Sequence, residues 1–272
     1  MFLADYHMHS SASFDADDTM QDMALAAHGR GMQEICFTDH IDMDDIYGVY
    51  SESHWDKWPT ILEQYDEAQR ICPAGFEIKL GIELGSIQHY PNIAAQRAAH
   101  AELDFVIGSI HNNRDNWDFY DMEYTSEEQC MSLLSAYMDE HIELSRCDSF
   151  DVVAHIGYTR RYMMAFGYNI AVNTLMFGDE LRTVFKNLIE RGKGIEINCS
   201  GFRNADLAGA IPSLDVVKLY REMGGEIITV GSDAHRVGEA GAYIADGLEI
   251  LREAGFKYVT VFNKRKPIYK KI

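Results

Sequence analysis

Short apolar, β-branched runs recur along the chain, and segments with the spacing of amphipathic helices lie between them. This alternation is typical of repeated βα units around a parallel sheet. The runs are nearly continuous in apolar residues, as expected of strands that are buried on both faces. The predicted strands are residues 2–6, 34–38, 77–82, 104–108, 151–153, 194–197 and 226–230, and 258–262 is an eighth run that would close the chain. The pattern predicts an α/β barrel.

The segments between the runs predict helices. The first begins at Thr19, a residue type that caps helices, and ends near Gly29 or Gly31. Further helices are predicted over residues 56–71, 93–101, 126–146, 174–191, 214–223 and 238–254. Barrels of this kind reach 272 residues as one unit, and no proline-rich linker interrupts the chain. We therefore expect a single domain over residues 1–272.

The charge of the chain limits its partners. It carries 43 acidic and 24 basic residues, for a formal net charge of -19. Such a surface repels nucleic acids and anionic membranes, so a small molecule is the expected partner. An anionic substrate would need local positive charge, which bound cations supply most strongly. The five cysteines form no C-x-x-C pair, and the chain shows neither a signal peptide nor a membrane span, so we expect a cytoplasmic protein.

Candidate metal ligands follow the carboxyl ends of the predicted strands. Because these ends form the catalytic face of a barrel, side chains far apart in the sequence are expected to meet there. The candidates are His7 and His9 after the first strand, His40 after the second, Glu83 after the third, His111 after the fourth, His155 after the fifth, and Asp233 and His235 after the seventh.

The spacing of these residues suits metal binding. In extended backbone, residues i and i+2 point to the same side, so His7 and His9 can face one point. Imidazole and carboxylate together suit zinc, iron or manganese, and a carboxylate such as Glu83 can bridge two ions. Asp15, in the loop after His9, is a further candidate. In contrast, the histidines within predicted helices are assigned no function, and these are His28, His100 and His141.

The ordered motifs HMH, TDH, GIE, SIH, VVAH and GSDAH resemble the PHP (polymerase and histidinol phosphatase) family over nearly the whole chain. The resemblance implies a distorted, TIM-like (β/α)7 barrel with two or three divalent ions in a trinuclear centre. It assigns His7, His9, Glu83 and Asp233 to one ion, Glu83, His111 and His155 to a second, and Asp15, His40 and His235 to a third. Some relatives have histidine in place of Asp15.

Within the family, the chain resembles stand-alone histidinol-phosphate phosphatases, on the segment from His155 to Tyr162 and on GIEINCSG from Gly194. That resemblance implies hydrolysis of histidinol phosphate to histidinol and inorganic phosphate, a step of histidine biosynthesis. Metals lower the pKa of bound water to about 7, so a metal-bound hydroxide is the expected nucleophile. The candidates for holding the phosphate are Arg160, Arg161 and Arg203, and those for protonating the leaving alkoxide are Asp233 and His235.

Three alternative functions remain open at this point. One alternative is a PHP phosphoesterase that acts on a sugar phosphate, a nucleotide or a cyclic phosphodiester, because the loops and not the metals select the substrate. An amidohydrolase-like C–N hydrolase is disfavoured, since His111 stands where a bridging lysine would be expected. A nucleic-acid-processing module is disfavoured by the negative charge. The pattern indicates neither the metal nor the oligomeric state.

Overall fold

The computed structural model describes residues 1–114, 116–205, 207 and 209–272. Among them, seven parallel strands form one sheet in the order of the sequence. They are β1 (Ala4–Asp5), β2 (Glu34–Phe37), β3 (Glu77–Gly85), β4 (Phe105–Ser109), β5 (Val152–Val153), β6 (Gly194–Asn198) and β7 (Ile228–Gly231). Each predicted strand among the first seven is present, which confirms the α/β prediction.

The last strand of the sheet returns to the first. Tyr6 N donates to Val230 O at 2.9 Å, and His9 N donates to Ala234 O at 2.8 Å. Met8 and Ala234 form a parallel bridge in the same place. The sheet is therefore a nearly closed (β/α)7 barrel, as predicted.

The eighth predicted strand is present but does not belong to the barrel. β8 (Tyr258–Asn263) pairs antiparallel with β9 (Lys266–Lys271) in a separate two-stranded sheet. Because β7 already bonds to the segment after β1, the barrel offers no free edge to another strand. The hairpin instead places Phe262 against Tyr6 and Phe105, with ring centroids 6.4 and 4.8 Å away. The predicted strand is confirmed, but it does not close the chain, since β9 follows it, and it covers one end of the barrel interior.

Helices surround the barrel. They are α1 (Met20–Gly29), α2 (Trp58–Ile71), α3 (Pro91–Ala98), α4 (Glu127–Leu144), α5 (Arg160–Ala165), α6 (Gly178–Glu190), α7 (Leu214–Glu222) and α8 (Ile244–Glu253). The predicted cap is confirmed, since Thr19 Oγ1 accepts from Asp22 N at 3.2 Å. The short helix α5 was not predicted. None of the described helices has the length and apolar character needed to cross a membrane.

Successive side chains of a strand point to opposite faces of the sheet, and this alternation decides which of them reach the site. On β3, Leu80 and Ile82 belong to the apolar layer between strands and helices. Gly81 and Glu83 alternate with them and therefore face the barrel interior. Glu196 on β6 has the same orientation, since its neighbours Ile195 and Ile197 lie in the outer layer. The barrel thus directs two carboxylates of the sheet towards its own axis.

Candidate metal centre

Four buried side chains meet at the carboxyl ends of β1, β3 and β7. His7 Nε2 lies 3.1 Å from His9 Nε2 and 3.2 Å from Glu83 Oε2. Asp233 Oδ1 lies 3.5 Å from His9 Nε2 and 3.7 Å from His7 Nε2. Ligands at about 2.0–2.2 Å around a tetrahedral ion lie about 3.3–3.6 Å from one another. The spacing of these four donors therefore fits a single divalent cation.

The other oxygen of Glu83 faces a second group. Glu83 Oε1 lies 3.1 Å from His155 Nε2 and 3.4 Å from His111 Nε2. Because Oε1 and Oε2 face different histidines, this one carboxylate joins two donor groups. That is the arrangement of a carboxylate that bridges two ions.

A third group lies at the rim of the barrel. Asp15 Oδ2 lies 3.1 Å from His235 Nε2 and 3.6 Å from His40 Nε2. The rings of His40 and His235 both stack on His9, with centroid distances of 4.2 Å. The Asp15 side chain is 38% exposed, whereas Glu83 is completely buried. The third group is thus the one most open to solvent.

His7 is held in place from behind. Its Nδ1 lies 2.7 Å from Glu196 Oε1, and this contact puts the proton of the neutral ring on Nδ1. Nε2 is then free to act as a metal ligand. A side chain at Gly231 would clash with both His7 and Glu196, so this glycine provides the room for the pair.

His111 and His235 are oriented in a similar way. His111 Nδ1 lies 3.3 Å from Asp42 Oδ2, and His235 Nδ1 lies 3.0 Å from the backbone oxygen of Asp233. In both rings the opposite nitrogen, Nε2, faces a predicted ligand group. A side chain at Gly85 would clash with Asp42, so glycine at the end of β3 makes room for this carboxylate.

The electrostatics of the site favour bound cations. Burial and the nearby His235 and His40 lower the pKa of His9 to about 3, so this ring is neutral and ready to bind metal. Burial also opposes charge on His40, but Glu83 and Asp15 outweigh it and raise the pKa of His40 to about 9. The carboxylates therefore attract positive charge, which protons supply when no metal does. A divalent ion would displace those protons, and the donor set fits such an ion.

A comparison with models of protein families shows the family to which this chain belongs. The model described as the PHP domain matches residues 5–200, well over half of the sequence. The chain belongs to the PHP family. The family resemblance carried by the ordered motifs is thereby confirmed.

Curated relatives of this PHP chain extend over nearly its whole length. A probable histidinol-phosphatase of Deinococcus radiodurans is 26% identical over 269 residues, which cover 97% of this chain and 98% of the relative. A histidinol-phosphatase of Lactococcus lactis is 26% identical over 274 residues, covering 96% of this chain and 95% of the relative. Both relatives match the chain from end to end.

Among solved structures, histidinol phosphate phosphatase from Lactococcus lactis, in complex with zinc, L-histidinol and phosphate, has a TM-score of 0.81 to this PHP chain. The two are 22% identical, and 98% of each chain is covered. The barrel fold is therefore shared over the full length.

The donor groups line a cleft of about 520 Å³ at this end of the PHP barrel. His7 and His9 lie beneath it and are completely buried. The other predicted ligands reach its surface, and these are Asp15, His40, Glu83, His111, His155, Asp233 and His235. The structure thus brings together all the residues that the sequence analysis selected as ligands.

The structure separates the two adjacent arginines of α5. Arg161 lines the cleft, its Nη1 is 3.9 Å from Asp233 Oδ2, and its guanidinium lies over Tyr158 and Tyr162 at 5.1 and 4.8 Å. Arg160 does not line the cleft, and its Nε donates to Asn169 Oδ1 at 2.9 Å. Adjacent helical residues point in directions about 100° apart, so only one can face the site. The placement of Arg160 does not support the predicted phosphate contact.

Arg203 lines the cleft, but its guanidinium N–H groups donate to backbone oxygens. Its Nη1 donates to Ser232 O at 2.5 Å, and its Nη2 donates to Asp233 O at 2.8 Å. Asp233 has a φ of 55°, which is strained for a residue other than glycine. Asp233 N also donates to His7 O at 2.8 Å. Arg203 therefore helps to hold Asp233 in the conformation that aims its carboxylate at the site.

Two residues of the site were missed in the sequence analysis. Glu196 interrupts the apolar run of β6. Because a charged residue is rarely buried without a partner, an acid in a strand buried on both faces could have indicated a functional residue. Asp42 comes two residues after His40, which is the same i, i+2 spacing as His7 and His9. Neither belongs to a proposed ligand group, but Glu196 positions His7 and Asp42 positions His111, which do.

Proposed function

We propose that this PHP protein is a metal-dependent phosphatase that hydrolyses histidinol phosphate to histidinol and inorganic phosphate. The observation that carries the proposal is the position of Glu83, whose two oxygens join two donor groups at the floor of a cleft that also contains Arg161. The names of the full-length relatives support the substrate. The phosphatase chemistry expected from the sequence agrees with them.

Side chains of this chain would supply the protein ligands of the ions. Divalent ions held there would neutralise charge on phosphoryl oxygens and lower the pKa of water to about 7. Zinc, iron and manganese all accept this mixture of imidazole and carboxylate. We assign His7, His9, Glu83 and Asp233 to the first ion, Glu83, His111 and His155 to the second, and Asp15, His40 and His235 to a third.

Arg161 is proposed to hold the phosphate. Its planar guanidinium can donate two parallel hydrogen bonds to phosphate oxygens. Tyr158 and Tyr162 contact its faces, and the Tyr162 hydroxyl lies 2.7 Å from Nη2. These contacts fix the guanidinium beside Asp233, so it needs little ordering when phosphate arrives. Arg203 is a second candidate because it also lines the cleft, although two of its N–H groups already donate to the backbone oxygens of Ser232 and Asp233.

The leaving alkoxide needs a proton. Asp233 and His235 both line the cleft beside Arg161, and both are proposed for this role. Asp233 Oδ2 faces Arg161, on the side of the carboxylate away from His7 and His9. A general acid acts within hydrogen-bond reach of the oxygen that it protonates, so the proposal requires the leaving oxygen to lie beside Asp233 or His235 when Arg161 holds the phosphate.

The test is phosphate release by purified, metal-analysed protein from histidinol phosphate, sugar phosphates, nucleotides and a cyclic phosphodiester. We expect the highest kcat/KM on histidinol phosphate. A higher value on another ester would keep the metal chemistry and reject the substrate. No turnover of any ester by the metal-loaded protein would favour a C–N hydrolase, although no lysine lies among the described residues that line the cleft.

A further inference from the structure

Ser13 lies in the loop between β1 and α1 and contacts two of the proposed metal ligands. The residue is buried, and its Oγ donates to Asp39 Oδ1 at 2.7 Å. His40 N donates to the same Oγ at 3.1 Å, and His9 Nδ1 lies 3.4 Å from it. His9 belongs to the first proposed ion group and His40 to the third. One hydroxyl therefore contacts both groups.

The hydrogen bonds of Ser13 have defined directions. Ser10 N donates to Asp39 Oδ1 at 2.6 Å, so this oxygen is an acceptor and Ser13 gives it the hydroxyl proton. A hydroxyl has one proton and two lone pairs, and the lone pairs of Ser13 then face His40 N and His9 Nδ1. When Nε2 of His9 binds an ion, the ring proton lies on Nδ1 and donates to Ser13.

Asp39 holds the Ser13 hydroxyl in this orientation. It is completely buried, and Ser10 donates to it through both N and Oγ. Thr38 N donates to Met8 O at 2.8 Å, which fixes the segment after β2 against the segment after β1. A hydrogen bond to a carboxylate is roughly twice as strong as one between neutral groups. The hydroxyl is therefore held firmly while its lone pairs remain directed at the two histidines.

The loop that contains Ser13 also carries Asp15, a proposed ligand of the third ion. The Asp15 side chain is 38% exposed and lies two residues after the buried Ser13. Ser13 N donates to Ser10 O at 2.8 Å. Ser11 N donates to Asp18 O at 2.7 Å, so the two ends of the loop are joined. Ser13 is thus the buried anchor beside an exposed ligand.

The second proposed group does not depend on Ser13. His111 is held by Asp42 instead, with 3.3 Å between Nδ1 and Oδ2. Among the described residues, no hydrogen bond joins Ser13 to any member of the second group. A change at Ser13 is therefore expected to act on the first and third groups and to leave the second unchanged.

We propose that Ser13, held by Asp39, is a positioning residue that orients His9 and His40 and so ties the first ion of the centre to the third. The inference rests on the ligand groups of the proposed function, and it adds the residues that hold them. Polar groups behind the ligands of a metal typically change its affinity by roughly 10- to 100-fold. Loss of the hydroxyl should therefore weaken two ion sites together.

Zinc binding by the full-length protein tests the inference. Isothermal titration of wild type and Ser13→Ala, both stripped of metal, measures the affinity of each class of site. We expect Ser13→Ala to bind two ions roughly 10- to 100-fold more weakly and to bind the remaining ion as wild type does. Cobalt(II) in place of zinc gives a second readout, because its visible absorption depends on the geometry of its ligands. This absorption should change in Ser13→Ala.

Ser10→Ala is the matched control. Ser10 is also buried and its Oγ also donates to Asp39, but in the described part of the chain that hydroxyl has no hydrogen bond to a proposed ligand. A purely structural role of the bonds to Asp39 would affect both serine variants alike, whereas positioning affects only Ser13→Ala. Asp39→Asn serves if Ser13→Ala does not fold. Its neutral, weaker acceptor should lower the affinity of the same two ions by a smaller factor.

The outcomes separate this inference from the proposed function. Unchanged zinc affinities and cobalt absorption in Ser13→Ala, or an equal loss in Ser10→Ala, would overturn the inference and leave the ligand groups standing. A wild-type protein that binds no zinc would reject the ligand groups and the inference with them. Selective loss of two ions in Ser13→Ala, with no ester hydrolysed by the zinc-loaded wild type, would support the inference and reject the phosphatase.

Discussion

Oε1 of Glu196 lies 2.7 Å from Nδ1 of His7, and both side chains are completely buried. Its second oxygen, Oε2, accepts from the backbone N–H of His155 at 3.0 Å and from Asn198 Nδ2 at 3.2 Å. One carboxylate on β6 thus positions a ligand in each of two donor groups. The contact to the His7 ring fixes its orientation and tautomer, and the contact to the backbone of His155 holds the segment that carries that ligand.

Replacing Glu196 should therefore weaken metal binding. We expect Glu196→Gln to lower metal affinity by roughly 10- to 100-fold, because the amide holds His7 less firmly and removes negative charge. Equilibrium dialysis against buffered zinc, followed by elemental analysis, measures the change. Glu34→Gln is the matched control, since Glu34 is a buried barrel carboxylate that bonds to Tyr6 and does not line the cleft. Equal affinity in both variants would contradict the role of Glu196.

Removal of a proposed ligand should abolish function without unfolding the barrel. We expect His9→Ala and Glu83→Ala each to lose bound metal and nearly all phosphatase activity, because each residue contacts the other donors of the first group. Metal content, phosphate release and circular dichroism are the measurements. His28→Ala, an exposed change on α1, should leave all three unchanged. Full activity in either ligand variant would reject the assigned centre.

The adjacent arginines allow a direct comparison. Arg161→Ala should raise KM for the phosphate ester by roughly 10- to 100-fold, the effect of losing charge-assisted hydrogen bonds. Arg160→Ala should leave KM unchanged, since its Nε bonds to Asn169 outside the cleft. Steady-state kinetics on one ester at saturating metal measures both. If Arg160→Ala raises KM and Arg161→Ala does not, the phosphate lies elsewhere.

We expect the charge of His89 to stabilise the fold in a pH-dependent way. Burial opposes its charge, but hydrogen bonds to Asp44 and Glu140 outweigh burial and raise the pKa of His89 from 6.5 to about 9. A group whose pKa is raised on folding stabilises the fold fully below the unfolded value, and loses this effect as the pH rises through the folded value. Its stabilisation should therefore be complete below about pH 6.5 and absent above about pH 9.

The corresponding measurement is urea unfolding of wild type and His89→Gln, both metal-free, at pH 6 and pH 10. We expect the difference in free energy of unfolding between the two proteins to be larger at pH 6. Taking the difference cancels the titration of groups that the substitution leaves undisturbed. A difference that is independent of pH would show that the charge of His89 does not stabilise the fold.

The barrel was predictable from the sequence for physical reasons, and the family from the resemblance of its ordered motifs. Strands buried on both faces must be apolar throughout, and ligands placed after each strand reveal the carboxyl ends. The pairing of β8 with β9 was not predictable, because an apolar run indicates a strand but not which strand it pairs with. Spacing alone does not give the orientation of α5. The sequence therefore could not show which of Arg160 and Arg161 faces the cleft.

The contact between the loops that carry Asp44 and Asp118 was also not predictable from the sequence. Asp44 and Asp118 lie in segments without periodicity, and they meet because Asp118 N donates to Ile46 O at 3.0 Å. Long-range backbone contacts of this kind leave no trace in local spacing. The ligand roles themselves stay predictions that the geometry supports.

The return of β7 to β1 has a consequence for folding. His7 and Asp233 come from the first and last strands of the barrel, so the first donor group exists only after contacts between the most distant parts of the sheet have formed. Contacts so far apart in sequence are slow to form, since a large loop must close before they stabilise the chain. Capture of the first ion during refolding would therefore report the late, non-local step of ring closure.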